Sequence, residues 1–164
     1  MSKAPLRAVI LMGSANDAEQ LKPCGQVFKD FGVAYEARVL SAHRTPNETV
    51  KYLAEAESRG AEAVIAAAGG AAHLAGVCAA HTLLPVIGVP IESKSLKGLD
   101  SLLSTVQMPP GIPVATVGIG TLGSKNAGLL AVRIMALKDK ALAAKLEAFR
   151  EKMRLEILDT KVDV

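Results

Sequence analysis

The sequence predicts a flavodoxin-like three-layer α/β/α sandwich around a five-stranded parallel sheet of order 2-1-3-4-5. Three observations carry this. Short apolar runs alternate with helical patterns from end to end. The best runs are apolar at consecutive positions, so those strands are covered on both faces. A helix between each pair of strands supplies a right-handed crossover, which opens the sheet rather than closing it. The 164 residues are 50% apolar and 21% charged, which excludes a disordered chain. Three Phe, two Tyr and no Trp leave too few rings for a base-stacking nucleic-acid surface.

Each element has its own warrant. Ala8–Met12 (AVILM) reads as strand 1. Leu21, Cys24, Val27, Phe28 and Phe31 fall near a 3.6 spacing and predict a helix over Asp17–Phe31, with Gly32 as its C-cap. Val33–Leu40 reads as strand 2, with Val33, Tyr35, Ala37 and Val39 on one face. Thr45, Pro46 and Glu48 spell a capping box with proline at the first helical position, opening a helix that stops at Gly60. Ala63–Ala68, Val86–Val89 and Val114–Val117 read as strands 3, 4 and 5. His73–Leu83, Leu99–Val106 and Ser124–Ala136 read as helices. A last amphipathic helix over 139–158 lines up Leu142, Leu146, Phe149, Met153 and Ile157. No linker or repeat interrupts this, so a single domain over 1–164 with a core at 7–137 is expected.

The net charge of +3 is too small for a polycationic nucleic-acid binder and weakly favours a small anionic ligand. No apolar stretch approaches the ~18 residues of a membrane span, and no signal segment is evident. Cys24 and Cys78 lie far apart and read as reduced, buried thiols, so a soluble cytoplasmic protein is expected.

Parallel open sheets bind ligands beyond the carboxyl ends of their strands, at the switch point between strands 1 and 3. The loop after strand 1, Gly13-Ser14-Ala15-Asn16-Asp17, offers hydrogen-bonding groups ahead of a helix. Ser14 or Asn16 could equally be a helix cap. The loop after strand 2, Ser41-Ala42-His43-Arg44-Thr45-Pro46, pairs a proton-transfer side chain with a phosphate clamp. The loop after strand 3, Gly69-Gly70-Ala71-Ala72-His73-Leu74, is a wall with almost no bulk. There His73 either contacts a ligand or caps the next helix.

Other patterns carry less. Gly118, Gly120 and Gly123 spell a dinucleotide fingerprint, but no later strand ends in the required acidic residue. Gly123-Ser124-Lys125 has the wrong spacing for a P-loop. His73, Cys78 and His81 point in different directions along one helix, so no metal site is expected. A phosphorelay receiver would need an Asp where strand 3 ends in Ala66-Ala67-Ala68-Gly69.

The three loops together resemble class I N5-carboxyaminoimidazole ribonucleotide mutase of purine biosynthesis. So do Pro85-Val86-Ile87-Gly88-Val89-Pro90, Asp100-Ser101-Leu102-Leu103-Ser104 and Gln107-Met108-Pro109-x-Gly111-Ile112-Pro113-Val114. The resemblance covers roughly residues 8 to 137. It implies an isomerase that converts N5-carboxyaminoimidazole ribonucleotide (N5-CAIR) to 4-carboxy-5-aminoimidazole ribonucleotide (CAIR). It implies a homo-octamer with sites at subunit junctions and no metal or organic cofactor. Carried over by position, His43 is the general acid/base. Ser41 and Arg44 hold the 5′-phosphate, with Ser14 and Ala42 nearby, and Asp17 binds the ribose. Gly69, Gly70, Ala71, His73 and Leu74 belong to the floor under the imidazole. Asn16 departs from the serine usual in the family but keeps a donor and an acceptor. Two rival readings remain: a class II carboxylase using free CO2, and a non-catalytic mononucleotide-binding module. Class II enzymes typically carry Lys-Gly in place of Arg44-Thr45 and a Gly-Arg-Ser-Asn type sequence in place of the run from Gly69 to His73. This chain keeps the class I forms.

Overall fold

The computed structural model describes residues 5–162. The strands are β1 (Ala8–Met12), β2 (Tyr35–Val39), β3 (Ala63–Gly69), β4 (Val86–Ile91) and β5 (Ala115–Thr116). They form one sheet of order β2-β1-β3-β4-β5, with every pair parallel. The helices are α1 (Ala18–Phe31), α2 (Pro46–Ser58), α3 (Leu74–Ala80), α4 (Leu99–Val106), α5 (Gly120–Ala136) and α6 (Lys140–Leu158).

The central strands divide their side chains between two cores. Ala8, Ile10 and Met12 of β1, with Ala63, Ile65 and Ala67 of β3, pack on α1 and α5. The alternate residues Val9, Leu11, Val64 and Ala66 pack on α2 and α3. This is why both strands read as unbroken apolar runs. Strand β2 has one neighbour and behaves differently. Val33 is buried just before it and Tyr35 packs on Phe28, but Ala37 and Val39 are exposed, so the predicted buried face covers only its first half. On its other face Tyr52 donates to Glu36 Oε2 at 3.0 Å, and Arg38 stacks over the Tyr52 ring.

Two helix boundaries differ from the predicted ones, each for a reason close by in the chain. Helix α3 stops at Ala80 rather than Leu83. Pro85 disfavours helical geometry at Leu84, Thr82 Oγ1 accepts from the Leu84 amide, and Leu83 is 98% exposed. Helix α5 begins at Gly120, four residues before the predicted Ser124. A Cβ at Gly123 would sit 1.6 Å from Gly118 O, so only glycine lets the first turn of α5 lie against the loop that leaves β5. That is the structural use of the three-glycine pattern.

In α6, Asp139 caps the helix by accepting from the Ala141 and Leu142 amides. Asp139 is also paired with Arg7, which holds Glu62 as well. Leu142 and Leu146 are buried, and Phe149 meets Phe31 edge-on. The predicted stripe then leaves the core: Met153 is 41% exposed and Ile157 75%.

Replacing Gly123 with alanine is expected to destabilise the fold by about 3 kcal/mol or more, because backbone cannot yield as a side-chain tip can. A lowered urea midpoint reads this out. An unchanged midpoint would mean that Gly118 and Gly123 do not pack as described.

Candidate functional site

The loops after β1, β2 and β3 meet at the carboxyl edge of the sheet around a cleft of 430 Å³. Parallel pairing of β1 with both β2 and β3 makes this convergence unavoidable: all three strands deliver their next residues to the same edge.

Gly13 leaves β1 with its amide donating to Ala67 O at 3.0 Å. Ser14 then caps the 3-10 turn Ala15–Asp17. Its hydroxyl accepts from the Asn16 amide at 3.2 Å, and Asp17 Oδ2 accepts from the Ser14 amide at 3.0 Å. Ser14 is thus a cap and a cleft wall at once, and Asn16 and Asp17 line the same cleft.

The β2 loop is closed by Thr45. Its hydroxyl accepts from the Ser41 amide at 2.8 Å and donates to Ser41 O at 3.2 Å. It therefore does not cap α2, and the predicted capping box is not formed. The loop geometry took the hydroxyl instead. Ser41 Oγ accepts from the His43 and Arg44 amides at 3.3 and 3.2 Å. The Arg44 guanidinium reaches across to Gly13 O at 2.7 Å and touches Ser41 Oγ at 3.4 Å. Ser41, Ala42, His43 and Arg44 all line the cleft.

The β3 loop supplies the small-residue wall: Gly69, Ala71, His73 and Leu74 line the cleft, joined by Ala68. Gly70 does not. It turns the chain with φ +66, a left-handed value suited to glycine, and its amide donates to Ser101 Oγ at 2.9 Å. The fully buried Ser101 hydroxyl donates in turn to Ile91 O at 2.8 Å, tying the floor to β4. Sequence reasoning named Ser101 only as part of a motif. Its positioning role depends on a contact 31 residues away in sequence, for which no local signal exists.

His73 does not cap α3. Its Nδ1 lies 2.8 Å from His43 Nε2, with the rings edge-to-face at 4.9 Å. Cys78 is a buried free thiol, and the His81 ring turns to Val77 O, so the His73, Cys78 and His81 side chains go to three different places.

Asp17 is only 8% exposed. Burial pushes its carboxyl up from the ordinary 3.8, and the Ser14 amide and the Arg44 charge pull it partly back. A carboxyl whose folded pKa lies above its unfolded one costs stability once both states are ionised. The cost fades as pH falls through the folded value and is gone below 3.8. Asp17→Asn is therefore expected to raise the thermal midpoint at neutral pH, with the gap to wild type closing in acid. A midpoint unchanged or lowered at neutral pH would contradict this.

The chain matches the AIR carboxylase family over residues 7–156. It is 57% identical over 157 residues to the N5-carboxyaminoimidazole ribonucleotide mutase of Saccharolobus solfataricus, covering 96% of this chain and 98% of that one. It is 58% identical over 145 residues to the Pyrococcus abyssi protein of the same name, covering 88% and 82%. Among solved structures it superposes on Treponema denticola PurE with a TM-score of 0.84 at 33% identity, covering 93% and 94%. The chain therefore belongs to the AIR carboxylase family, within its class I N5-carboxyaminoimidazole ribonucleotide mutase branch.

Proposed function

We infer that this protein is an isomerase that converts N5-CAIR to CAIR by moving a carboxylate from nitrogen to carbon. The observation that carries it is the cleft itself. A His, an Arg and an Asp stand around a wall of Ala68, Gly69 and Ala71, in a chain 57% identical to a mutase over nearly its whole length.

The nucleotide's 5′-phosphate binds at Arg44 and Ser41, with Ser14 beside them. Arg44 is already oriented by its bonds to Gly13 O and Ser41 Oγ, so little side-chain freedom is lost on binding. Asp17 accepts from the ribose hydroxyls, and Asn16 contacts the substrate with its amide. The imidazole lies on the wall from Gly69 to Leu74, with Ala42 at its edge. The N–C bond to the carboxylate breaks, and His43 gives a proton to the exocyclic nitrogen as CO2 departs. CO2 has no strong hydrogen-bonding handle, so it is retained by enclosure between the ring and small side chains. It then bonds to C4, and His43 takes the C4 proton. One proton and one carboxylate have changed places, and His43 ends as it began.

The working form is a homo-octamer with sites at subunit junctions. What supports assembly is exposed apolar surface: Leu96, Leu99, Leu103 and Val106 along α4 and its approach, and Leu122 on α5. The free, buried thiols Cys24 and Cys78 fit a reducing cytoplasm. No described helix is long and apolar enough to cross a membrane.

The test is conversion of N5-CAIR without ATP, metal or bicarbonate. Turnover only of aminoimidazole ribonucleotide with CO2 would instead make the protein a carboxylase, and binding without turnover would make it a binding module. Within that assay His43→Asn is expected to lose about 10²- to 10⁴-fold in kcat. A folded variant with near-normal turnover would remove His43 from its role. Arg44→Ala is expected to weaken substrate binding by about 1.5–3 kcal/mol, read by calorimetry, and unchanged affinity would remove Arg44 from the phosphate site.

A further inference from the structure

The ladder between β3 and β4 stops at the cleft, and its next rung is made by a side chain from another element. Val64 donates to Pro85 O at 3.0 Å, and the last pair in register is Gly69 with Ile91. Along a parallel ladder donor and acceptor advance together, two residues at a time on each strand. In phase with Val64 and Pro85, the next donor and acceptor beyond the ladder are Gly70 N–H and Ile91 O. A hydroxyl stands between them. The Gly70 amide donates to Ser101 Oγ at 2.9 Å, and Ser101 Oγ–H donates to Ile91 O at 2.8 Å. A serine hydroxyl can accept on one side and donate on the other, so the rung is complete but one oxygen wider.

Helix α4 holds that hydroxyl still. Ser101 is fully buried, and the buried Thr105 hydroxyl donates to Ser101 O at 2.7 Å. The Thr105 methyl leaves no room for a Cβ at Gly88, so α4 rests directly on β4. At the start of the helix, Ser93 Oγ donates to the Asp100 carboxylate at 2.8 Å. The consequence falls on the cleft wall. Gly69 and Ala71 line the cleft on either side of Gly70, whose amide turns away from it to Ser101. Without the hydroxyl, a rung closed directly would draw Gly70 onto β4 and lengthen β3 by one residue. A rung left open would free the turn. In both cases the wall between Gly69 and Ala71 moves.

We propose that Ser101 is a positioning residue for carboxylate transfer: its hydroxyl spaces the ends of β3 and β4, and so sets the wall that keeps CO2 beside the ring. This rests on the mutase reading for the reaction itself. As the N–C bond breaks, its electron pair stays on the exocyclic nitrogen, which takes the His43 proton, and the carboxylate leaves as neutral CO2. Retained CO2 bonds to C4, the C4 proton goes to His43, and the product is CAIR. If CO2 escapes, the reaction ends at aminoimidazole ribonucleotide and CO2, and His43 regains its proton from water. Ser101 touches neither the substrate nor the moving proton. Acting through Gly70, it decides between these two ends.

The two ends are separable with N5-CAIR labelled with ¹³C in its carboxylate, after subtraction of an enzyme-free control. The wild-type protein should place the label in CAIR, with little in dissolved CO2 and bicarbonate. In Ser101→Ala, CAIR formation should fall about 10- to 100-fold, as a displaced wall slows recapture. Consumption of N5-CAIR should fall by less, with the difference appearing as aminoimidazole ribonucleotide and labelled CO2. KM should stay within about twofold, because the phosphate contacts are untouched. General loosening of the fold lowers both products together and leaves their ratio alone. Ser101→Thr keeps the hydroxyl and should restore retention. If Ser101→Ala does not fold, Ser101→Cys takes its place with the same expectation, since a thiol is a much weaker donor and acceptor. CAIR as the sole product of the folded Ala or Cys variant, or equal CO2 release from that variant and Ser101→Thr, would overturn the proposal. A second arm needs no substrate. In the wild-type protein the Gly70 amide should exchange with deuterium about 10-fold or more slowly than an exposed loop amide. Free exchange there would overturn the inserted rung. Slow exchange in a protein inactive on N5-CAIR would count against the mutase reading alone.

Discussion

Burying β1 and β3 on both faces is the constraint on which the rest of the structure depends. A strand sandwiched between two helical layers exposes no backbone groups to water, so its ladder must be complete on both sides. Parallel pairing to β2 on one side and β4 on the other provides that. Parallel strands in turn require helical crossovers and send every following loop to one edge. The cleft is a consequence of how the core is satisfied. Small side chains tighten the arrangement. Between Ala61 and Ala80, 13 of 20 residues are Ala or Gly, so the layers approach closely and the cleft wall has little bulk.

The loops at that edge are fixed by hydrogen bonds to one another, largely without apolar burial of their own. Arg44 joins the β2 loop to Gly13 of the β1 loop, and the two histidines join the β2 and β3 loops. Ser101 joins the β3 loop to the end of β4. The contacts run through a guanidinium, two imidazoles, a serine hydroxyl and backbone atoms, so the polar groups lining the cleft hold one another in place. Groups held this way lose little side-chain freedom when a ligand binds. Asp17 carries the opposite sign: burial raises its carboxyl, so its ionised form works against the fold.

Local patterns misled where the folded chain gave a group a different use from the one its motif suggests. Thr45, Pro46 and Glu48 have every feature of a capping box, yet the Thr45 hydroxyl closes on Ser41 and holds the loop that carries His43. Gly118, Gly120 and Gly123 look like a phosphate-binding turn, yet Gly123 is there because the backbone of Gly118 leaves no room for a Cβ. His73 sits where a helix cap belongs and reaches instead for another imidazole. Only the histidine pair is a long-range contact, 30 residues apart; Thr45 and Gly123 are decided within four and five residues, by the hydrogen bonds and the space of the turn itself.

By itself the sequence determined the sheet order, the doubly covered strands, the helix α4 from Leu99 to Val106, and the three loops that meet at the cleft. These follow from hydrophobic periodicity and chain connectivity, which are written locally. The tertiary structure decided what local pattern does not encode. It turned Gly70 away from the cleft, recruited Ser101 and Ala68, left half of β2 and the end of α6 uncovered, and set His43 against His73. The histidine pair and the Gly70–Ser101 bond join residues 30 and 31 apart in sequence. A hydrogen bond has no period along the chain, only a length in space.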